Sequence, residues 1–103
     1  MIRLIEDNRD AVEALCRKHS VAKLEVFGSA ADETTHTTCS DVDFLVEFIP
    51  GADLGPWMST YFDLKDELQR LLGRPVDLVM VGALRDPYFI KEVNRTRNLV
   101  YAS

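Results

Sequence analysis

The chain has 103 residues, 47% of them hydrophobic, with 12 basic and 17 acidic residues and a net charge of −5. This length suits one domain with one core, residues 1–103, and is too short for a separate substrate-binding domain. The negative charge and the scattered Lys and Arg residues argue against binding to duplex DNA or RNA, and no apolar run is long enough to span a membrane.

The first half of the chain predicts a helix, a short strand and a polar connector. Apolar residues at helical spacing predict a helix from about residue 7 to about residue 19. Leu24 to Phe27 alternates as a strand that ends at Gly28, and a single helical turn is expected from Ser29 to about Asp32. The polar stretch from Asp32 to Cys39 has no clear period and predicts an exposed loop.

The second half predicts three strands and two helices. The predicted elements are a strand over 41–49, a helix over 57–72, a strand over 76–81, a helix over 86–95 and a strand over 99–101. Gly73 should end the longer helix, and Asp86 should cap the last one. This order indicates an α+β fold in which a small mixed β-sheet packs on α-helices and keeps one partly open face.

The two cysteines have no spacing typical of a disulfide or a metal site. Cys16 falls in the first helical pattern and Cys39 in the polar loop, and the sequence shows no secretory leader. We therefore expect a reduced, cytoplasmic protein in which neither cysteine is a nucleophile.

Two aspartates stand two positions apart in the predicted 41–49 strand. Alternate residues of a strand point to the same face, so Asp41 and Asp43 should project together while Val42 and Phe44 face the core. Asp77 is an acid among apolar residues of a later strand, and it is the best candidate for a third carboxylate if the two strands are neighbours. The alternative is that all three are ordinary solvent-facing charges.

Carboxylate oxygens are the ligands that Mg²⁺ prefers, and phosphoryl-transfer sites combine them with the phosphate oxygens of the substrate. Three carboxylates can hold two Mg²⁺ ions roughly 3.5–4 Å apart. Gly28 permits close approach of the backbone to a triphosphate, and Ser29 offers a hydroxyl and a backbone N–H at the start of a helical turn. Ser40 is a further candidate contact to phosphate, with a simple turn role as its alternative.

Gly28-Ser29, the run from Ser40 to Val46 and the later Asp77 resemble the signature of the DNA polymerase β-like nucleotidyltransferase superfamily. The similarity is to its minimal, MNT-type members and covers nearly the whole chain. This resemblance implies that Asp41 and Asp43 bind divalent metal and that Asp77 assists deprotonation of an acceptor hydroxyl.

The resemblance also implies an activity and a partner. Minimal members are typically paired with a helical HEPN-type protein as antitoxin with toxin, and some are thought to transfer AMP from ATP onto that partner. We therefore expect ATP or another nucleoside triphosphate as substrate, with Mg²⁺, and a hydroxyl on a partner protein as acceptor. A small hydroxyl compound such as an aminoglycoside is a weaker alternative acceptor.

One segment departs from the family pattern. Members usually carry Ala-Arg-Gly after Gly-Ser-x, whereas this chain has Ala31-Asp32-Glu33. Replacing a cation by acids should weaken contact with nucleotide phosphates. A second hypothesis therefore stands beside the enzyme: a catalytically weak or inactive binding module of the same fold that neutralises a helical partner by direct contact.

The aromatic residues allow two interpretations, one as core residues and one as an exposed surface. Trp57 continues the helical pattern of the leucines and is expected in the core with Tyr61. Alternatively, Trp57, Phe62, Tyr88 and Phe89 form an exposed patch that would dock a partner or a second copy of the chain.

Overall fold

The computed structural model describes residues 2–28 and 41–103. In these ranges the helices are α1 (Arg3–Asp7), α2 (Arg9–Lys18), α3 (Ser59–Leu72) and α4 (Pro87–Thr96), and the strands are β1 (Val21–Phe27), β2 (Val42–Phe48), β3 (Val76–Met80) and β4 (Asn98–Ala102). Short 3-10 helices at Pro56–Met58 and Val81–Ala83 precede α3 and follow β3. The turn predicted after Gly28, the polar loop, Ser29 and Ser40 lie outside the described residues.

The four strands form one mixed sheet in the order β3-β2-β1-β4. β1 is antiparallel to both β2 and β4, whereas β2 and β3 are parallel. Parallel neighbours require a crossover connection, and α3 lies in that connection. The α+β fold with a mixed sheet predicted from the sequence is confirmed.

The main core lies between one face of the sheet and helices α1, α2 and α3. Alternate residues of β2 point to this face, so Val42, Phe44 and Val46 are fully buried. They pack in one cluster with apolar residues of the three helices, which are Ile5, Val12, Cys16, Leu64, Leu68 and Leu72. Burial raises the pKa of the Cys16 thiol to about 12, which makes this cysteine a poor nucleophile, as expected.

The opposite face of the sheet is only partly covered, by α4 and the residues before it. Val93 of α4 packs with Phe27 of β1 and Leu45 of β2 in a second, smaller cluster. Phe89 adds an edge-to-face ring contact to Phe27, with centroids 5.8 Å apart. Glu47 and Asp77 on this face are exposed, in agreement with the predicted partly open face.

The helix boundaries differ from the prediction at the beginning of the chain. The helix expected over residues 7–19 corresponds to α2, but the short helix α1 before it was not expected, and the two are separated at Asn8, whose φ of −108° and ψ of 12° are not helical. The Asn8 side chain donates a hydrogen bond to the Leu4 carbonyl (2.8 Å), which satisfies an acceptor at the end of α1. None of the helices in the described ranges combines the length and apolar character that a membrane span requires.

The expectation that Trp57 belongs to the core is wrong. Trp57 and Met58 have φ of +56°, so the chain leaves the helical conformation there and α3 begins only at Ser59. The Trp57 side chain is consequently 93% exposed. Tyr88, Phe62 and Phe89 are exposed as well, as the alternative of an exposed aromatic patch requires.

An ion pair joins β1 to the end of α4 on the partly open face. Glu25 is only 6% exposed, and the Arg97 guanidinium donates to both of its carboxylate oxygens, with Nε 2.8 Å from Oε2. Arg97 also donates to Asn94 Oδ1 (2.7 Å), and the Lys23 ammonium lies 3.5 Å from Glu25 Oε1. The hydrogen bond from Arg97 is the main reason that the pKa of Glu25 is lowered.

The buried pair predicts a pH-dependent loss of stability for Glu25→Gln. The substitution leaves the Arg97 charge without its partner and should lower the free energy of unfolding by about 1–3 kcal/mol at neutral pH. Because the folded-state pKa of Glu25 is lowered, its contribution is complete above the unfolded-state value near 4.5 and is lost as the pH falls through the folded value. Urea unfolding of both proteins at several pH values measures the difference, which should shrink in acid.

Glu92→Gln is the matched control for this prediction. It removes a carboxylate that pairs with Arg95 on the exposed side of α4. Its stability should differ little from that of the wild type at any pH. An equal effect of the two substitutions would show that burial of Glu25 is unimportant.

Candidate active site

The parallel ladder between β2 and β3 places two carboxylates next to each other. Asp43 is the in-register partner of Asp77, and on its other side it is the partner of Phe27. In-register residues of neighbouring strands share a face and are separated by about 4.8 Å between strands. The shared face is the one opposite the main core, where Asp43 is half-buried and Asp77 is exposed.

Asp41 lies immediately before β2 and is exposed. The next residue, Val42, donates its N–H to the Pro75 carbonyl (2.9 Å), which fixes the start of β2 beside the start of β3. The structure therefore pairs Asp43 with Asp77 in the sheet and places Asp41 one step outside the ladder. The sequence could indicate the shared face of Asp41 and Asp43, but not which strand would lie next to them.

The electrostatics of this group centre on Asp43. The pKa of Asp43 is raised from 3.8 to about 6, first by burial, then by the negative charges of Asp77 and Asp41. The same surroundings affect Tyr61, whose pKa is raised by burial and by the charge of Asp77. The Tyr61 hydroxyl donates a hydrogen bond to the Leu78 carbonyl, next to Asp77 in β3. An accumulation of like charges at a half-buried position is typical of sites that bind a cation.

Gly28 ends β1 directly beside Asp43. Its φ is +69°, a conformation that residues with a side chain rarely adopt, and a Cβ at this position would lie 3.0 Å from Asp43 Oδ2. The Gly28 N–H donates a hydrogen bond to Thr96 Oγ1 (2.9 Å) in the last turn of α4. Sequence analysis missed Thr96, because nothing in the sequence relates it to a glycine 68 positions away.

The donor chemistry of this face suits a hard divalent cation, because Asp41, Asp43 and Asp77 offer carboxylate oxygens whose mutual repulsion a cation would relieve. Within residues 2–28 and 41–103, however, no group of three or more His, Cys, Asp or Glu side chains is arranged to hold a metal ion. The pairing of Asp43 with Asp77 is thus a feature of the structure, whereas the three-carboxylate metal site stays a prediction.

The mixed sheet has its main helices on one face and paired acidic residues on the other. Comparison with known proteins places this fold in the class of nucleotidyltransferases. The nucleotidyltransferase domain family matches residues 9–100, and the chain belongs to this family. The relative named "Putative protein adenylyltransferase MJ0128" from Methanocaldococcus jannaschii is 39% identical over 87 residues, which are 84% of this chain and 82% of that protein.

Two solved structures have folds similar to that of this chain. One, described as "Structure of putative minimal nucleotidyltransferase", is 33% identical with a TM-score of 0.73, and the match covers 94% of this chain and 95% of that chain. The resemblance to minimal, MNT-type nucleotidyltransferases is confirmed by these matches. A chain in a complex described as "tri-AMPylated Shewanella oneidensis HEPN toxin in complex with MNT antitoxin" has a TM-score of 0.64 at 18% identity, over 95% of this chain and 72% of that chain, which shows a similar fold.

The contact between Gly28 and Asp43 predicts a specific effect of Gly28→Ala. The added methyl group meets Asp43 Oδ2 in addition to the strain of a positive φ, so the free energy of unfolding should fall by about 2–3 kcal/mol. Gly73→Ala is the matched control, since Gly73 has a φ of +67° and open space around a Cβ. The control should cost only about 1 kcal/mol, from the strain of the positive φ alone. Equal losses in urea unfolding would show that the approach to Asp43 has no energetic consequence.

The raised pKa of Asp43 predicts that Asp43→Asn stabilises the protein in the presence of a metal chelator. Because the folded-state pKa of about 6 lies above the ordinary 3.8, the wild type is favoured when protonated and loses stability as the pH rises through about 6. At about pH 8 the gain should be on the order of 1 kcal/mol, after allowance for solvent screening, and it should disappear below about pH 4. Thermal or urea unfolding at both pH values measures it.

Glu47→Gln provides the control for this measurement. Glu47 lies on the same face of β2 and is exposed. Its substitution should leave stability nearly unchanged at either pH. A gain for Asp43→Asn that does not depend on pH would contradict the raised pKa of Asp43.

Proposed function

We propose that this chain is a Mg²⁺-dependent nucleotidyltransferase that transfers AMP from ATP to a hydroxyl group of a partner protein. The observation that carries the proposal is the pairing of Asp43 with Asp77 on the partly open face, next to Gly28. Membership of the nucleotidyltransferase family and the relatives named as protein adenylyltransferases support it. In this proposal residues 1–103 act as one nucleotidyltransferase domain.

Each acidic residue has a role in the proposed reaction. Asp41 and Asp43 would hold Mg²⁺, with Asp77 beside them, and the bound cation would offset the charge of the nucleotide phosphates. Gly28, Ser29 and Ser40 would contact those phosphates. Leu45 and Phe27 keep the inner part of this face apolar, which limits the access of water to Asp43.

The proposed chemistry is a single displacement at the α-phosphate of ATP. The acceptor hydroxyl oxygen forms a bond to the α-phosphorus, while the bond from that phosphorus to the bridging oxygen breaks. Pyrophosphate leaves with the electron pair, and the hydroxyl proton passes to the Asp77 carboxylate. Asp77 suits this role because it is exposed at the edge strand, where a macromolecular acceptor can approach.

The proposed partner is a helical HEPN-type protein, which this chain would oppose as an antitoxin in the cytoplasm. The fold of this chain is similar to that of a chain from a complex of an AMPylated HEPN toxin with an MNT antitoxin, and this similarity supports the proposed partner. Exposed aromatic side chains provide apolar surface of the kind used in protein interfaces, with Trp57 93% and Tyr88 85% exposed.

A second candidate function is a binding module that neutralises the same kind of partner by direct contact, without turnover. Two acids, Asp32 and Glu33, stand where the family pattern has a cation and a glycine, and this substitution favours weak binding of nucleotide phosphates. The exposed aromatic surface would serve either function.

Substitution of the paired aspartates separates the two candidates. With a purified HEPN-type protein, Mg²⁺ and ATP labelled at the α-phosphate, the wild type should transfer label to the partner. Asp43→Asn and Asp77→Asn should each reduce the transfer at least about 100-fold, because each removes a group that acts on the reacting phosphate or hydroxyl. ATP labelled at the γ-phosphate should give no labelled protein.

Glu47→Gln, on the same face of β2, is the control and should transfer label at the wild-type rate. Retained transfer by an Asp41→Asn, Asp43→Asn double variant would reject the assignment of these residues. If neither the wild type nor the double variant transfers label, and both still neutralise the partner, the binding module is the correct function.

A further inference from the structure

The hydroxyl group of Thr96 connects α4 to the end of β1. It accepts a hydrogen bond from the Gly28 N–H (2.9 Å) and donates one to the Glu92 carbonyl one turn earlier in α4 (3.1 Å). A hydroxyl has one proton to donate, and the Glu92 carbonyl takes it, so a lone pair of Oγ1 is left to face Gly28. The two bonds together fix both the side chain and the glycine N–H.

The position of the Gly28 backbone matters because of what lies beside it. Its φ of +69° differs from the extended conformation of β1, and the space where a Cβ would stand is bounded by Asp43 Oδ2. Glycine has the widest conformational freedom of any residue, so a second constraint is needed to keep Gly28 in one conformation. The bond to Thr96 supplies that constraint from outside the sheet.

The hydrogen bond between Thr96 and Gly28 is not the main contact that holds α4 against the sheet. The helix is held against β1 by the ion pair between Arg97 and Glu25 and by the ring contact between Phe89 and Phe27. Val93 adds an apolar contact from the middle of the helix. Removal of the Thr96 hydroxyl should therefore leave the helix in place, while it removes the hydrogen bonds to the Gly28 N–H and to the Glu92 carbonyl.

We propose that Thr96 is a positioning residue for nucleotidyl transfer, whose hydroxyl holds the Gly28 backbone beside the carboxylate of Asp43. This inference rests on the proposed function, in which Gly28 contacts the nucleotide phosphates. Thr96 itself touches neither substrate nor reacting atoms; it acts through the glycine.

Thr96→Val removes the hydroxyl at nearly constant volume, and Thr96→Ser restores it. In the proposed reaction, the KM for ATP should rise about tenfold in the valine variant and stay within about twofold of wild type in the serine variant. The kcat should change less than the KM, because the carboxylates are unaltered. A residue that only stabilises the helix would not produce this split between KM and kcat.

A second measurement does not depend on activity. In metal-free and nucleotide-free protein, the Gly28 amide should exchange with solvent about tenfold faster in Thr96→Val than in wild type or Thr96→Ser. Arg95→Ala is the control on the same turn of α4, since Arg95 pairs only with the exposed Glu92 among the contacts described for it. It should leave the Gly28 amide unchanged.

The two measurements separate the failure of this inference from the failure of the proposed function. An unchanged Gly28 amide in Thr96→Val, or a wild-type KM in that variant, would overturn the positioning role. A wild type that neither binds nor uses ATP would reject the proposed function. The exchange rate of the Gly28 amide would then decide alone whether Thr96 holds the Gly28 backbone in place.

Discussion

The register between β2 and β3 is the constraint on which the acidic site depends. A strand shifted by one residue turns every side chain to the opposite face. The observed register buries Phe44 beside Leu78 in the main core. The same register necessarily places Asp43 beside Asp77 on the other face. Apolar burial on one side of the sheet therefore supplies the free energy that keeps two carboxylates together on the other side.

The two faces of the sheet consequently differ in their surroundings and in their roles. Three helices cover one face and pack with the strands in the larger of the two apolar clusters. On the other face α4 covers Phe27 and Leu45 near the centre of the sheet, while Asp77 remains exposed at the edge. This division leaves Asp43 at a boundary between apolar and aqueous surroundings. Such a boundary raises the pKa of a carboxyl group and strengthens its interaction with any cation that approaches.

Much of this arrangement could be predicted from the sequence because it depends on local periodicity. The alternation around Asp43 separated the core face from the acidic face, and Gly73, with its φ of +67°, ends α3 as predicted. Periodicity failed at Trp57, where a positive φ interrupts the helix without any change in the apolar spacing. It also gave no sign of the short helix α1, whose end is satisfied by the Asn8 side chain.

Contacts between residues far apart in the chain could not be predicted from the sequence, for a different reason. The pairing of Asp43 with Asp77 could be stated only as a condition, since it requires knowledge of which strands are neighbours. The hydrogen bond from Gly28 to Thr96 and the ion pair of Glu25 with Arg97 join β1 to the end of α4. Threonine, glutamate and arginine are common at helix ends and on strands, so their residue types carry no signal of these contacts.

Repulsion at a half-buried site also bears on how the proposed ligands would bind. A nucleotide triphosphate alone would add negative charge beside Asp43 and Asp77, and a cation alone would have few further ligands. Together they balance one another, so each should increase the affinity for the other. A ligand pair that binds only the folded chain stabilises it by an amount that increases with the logarithm of that affinity. The unfavourable charge that the sheet holds in the absence of ligands is thus the same feature that would make binding cooperative.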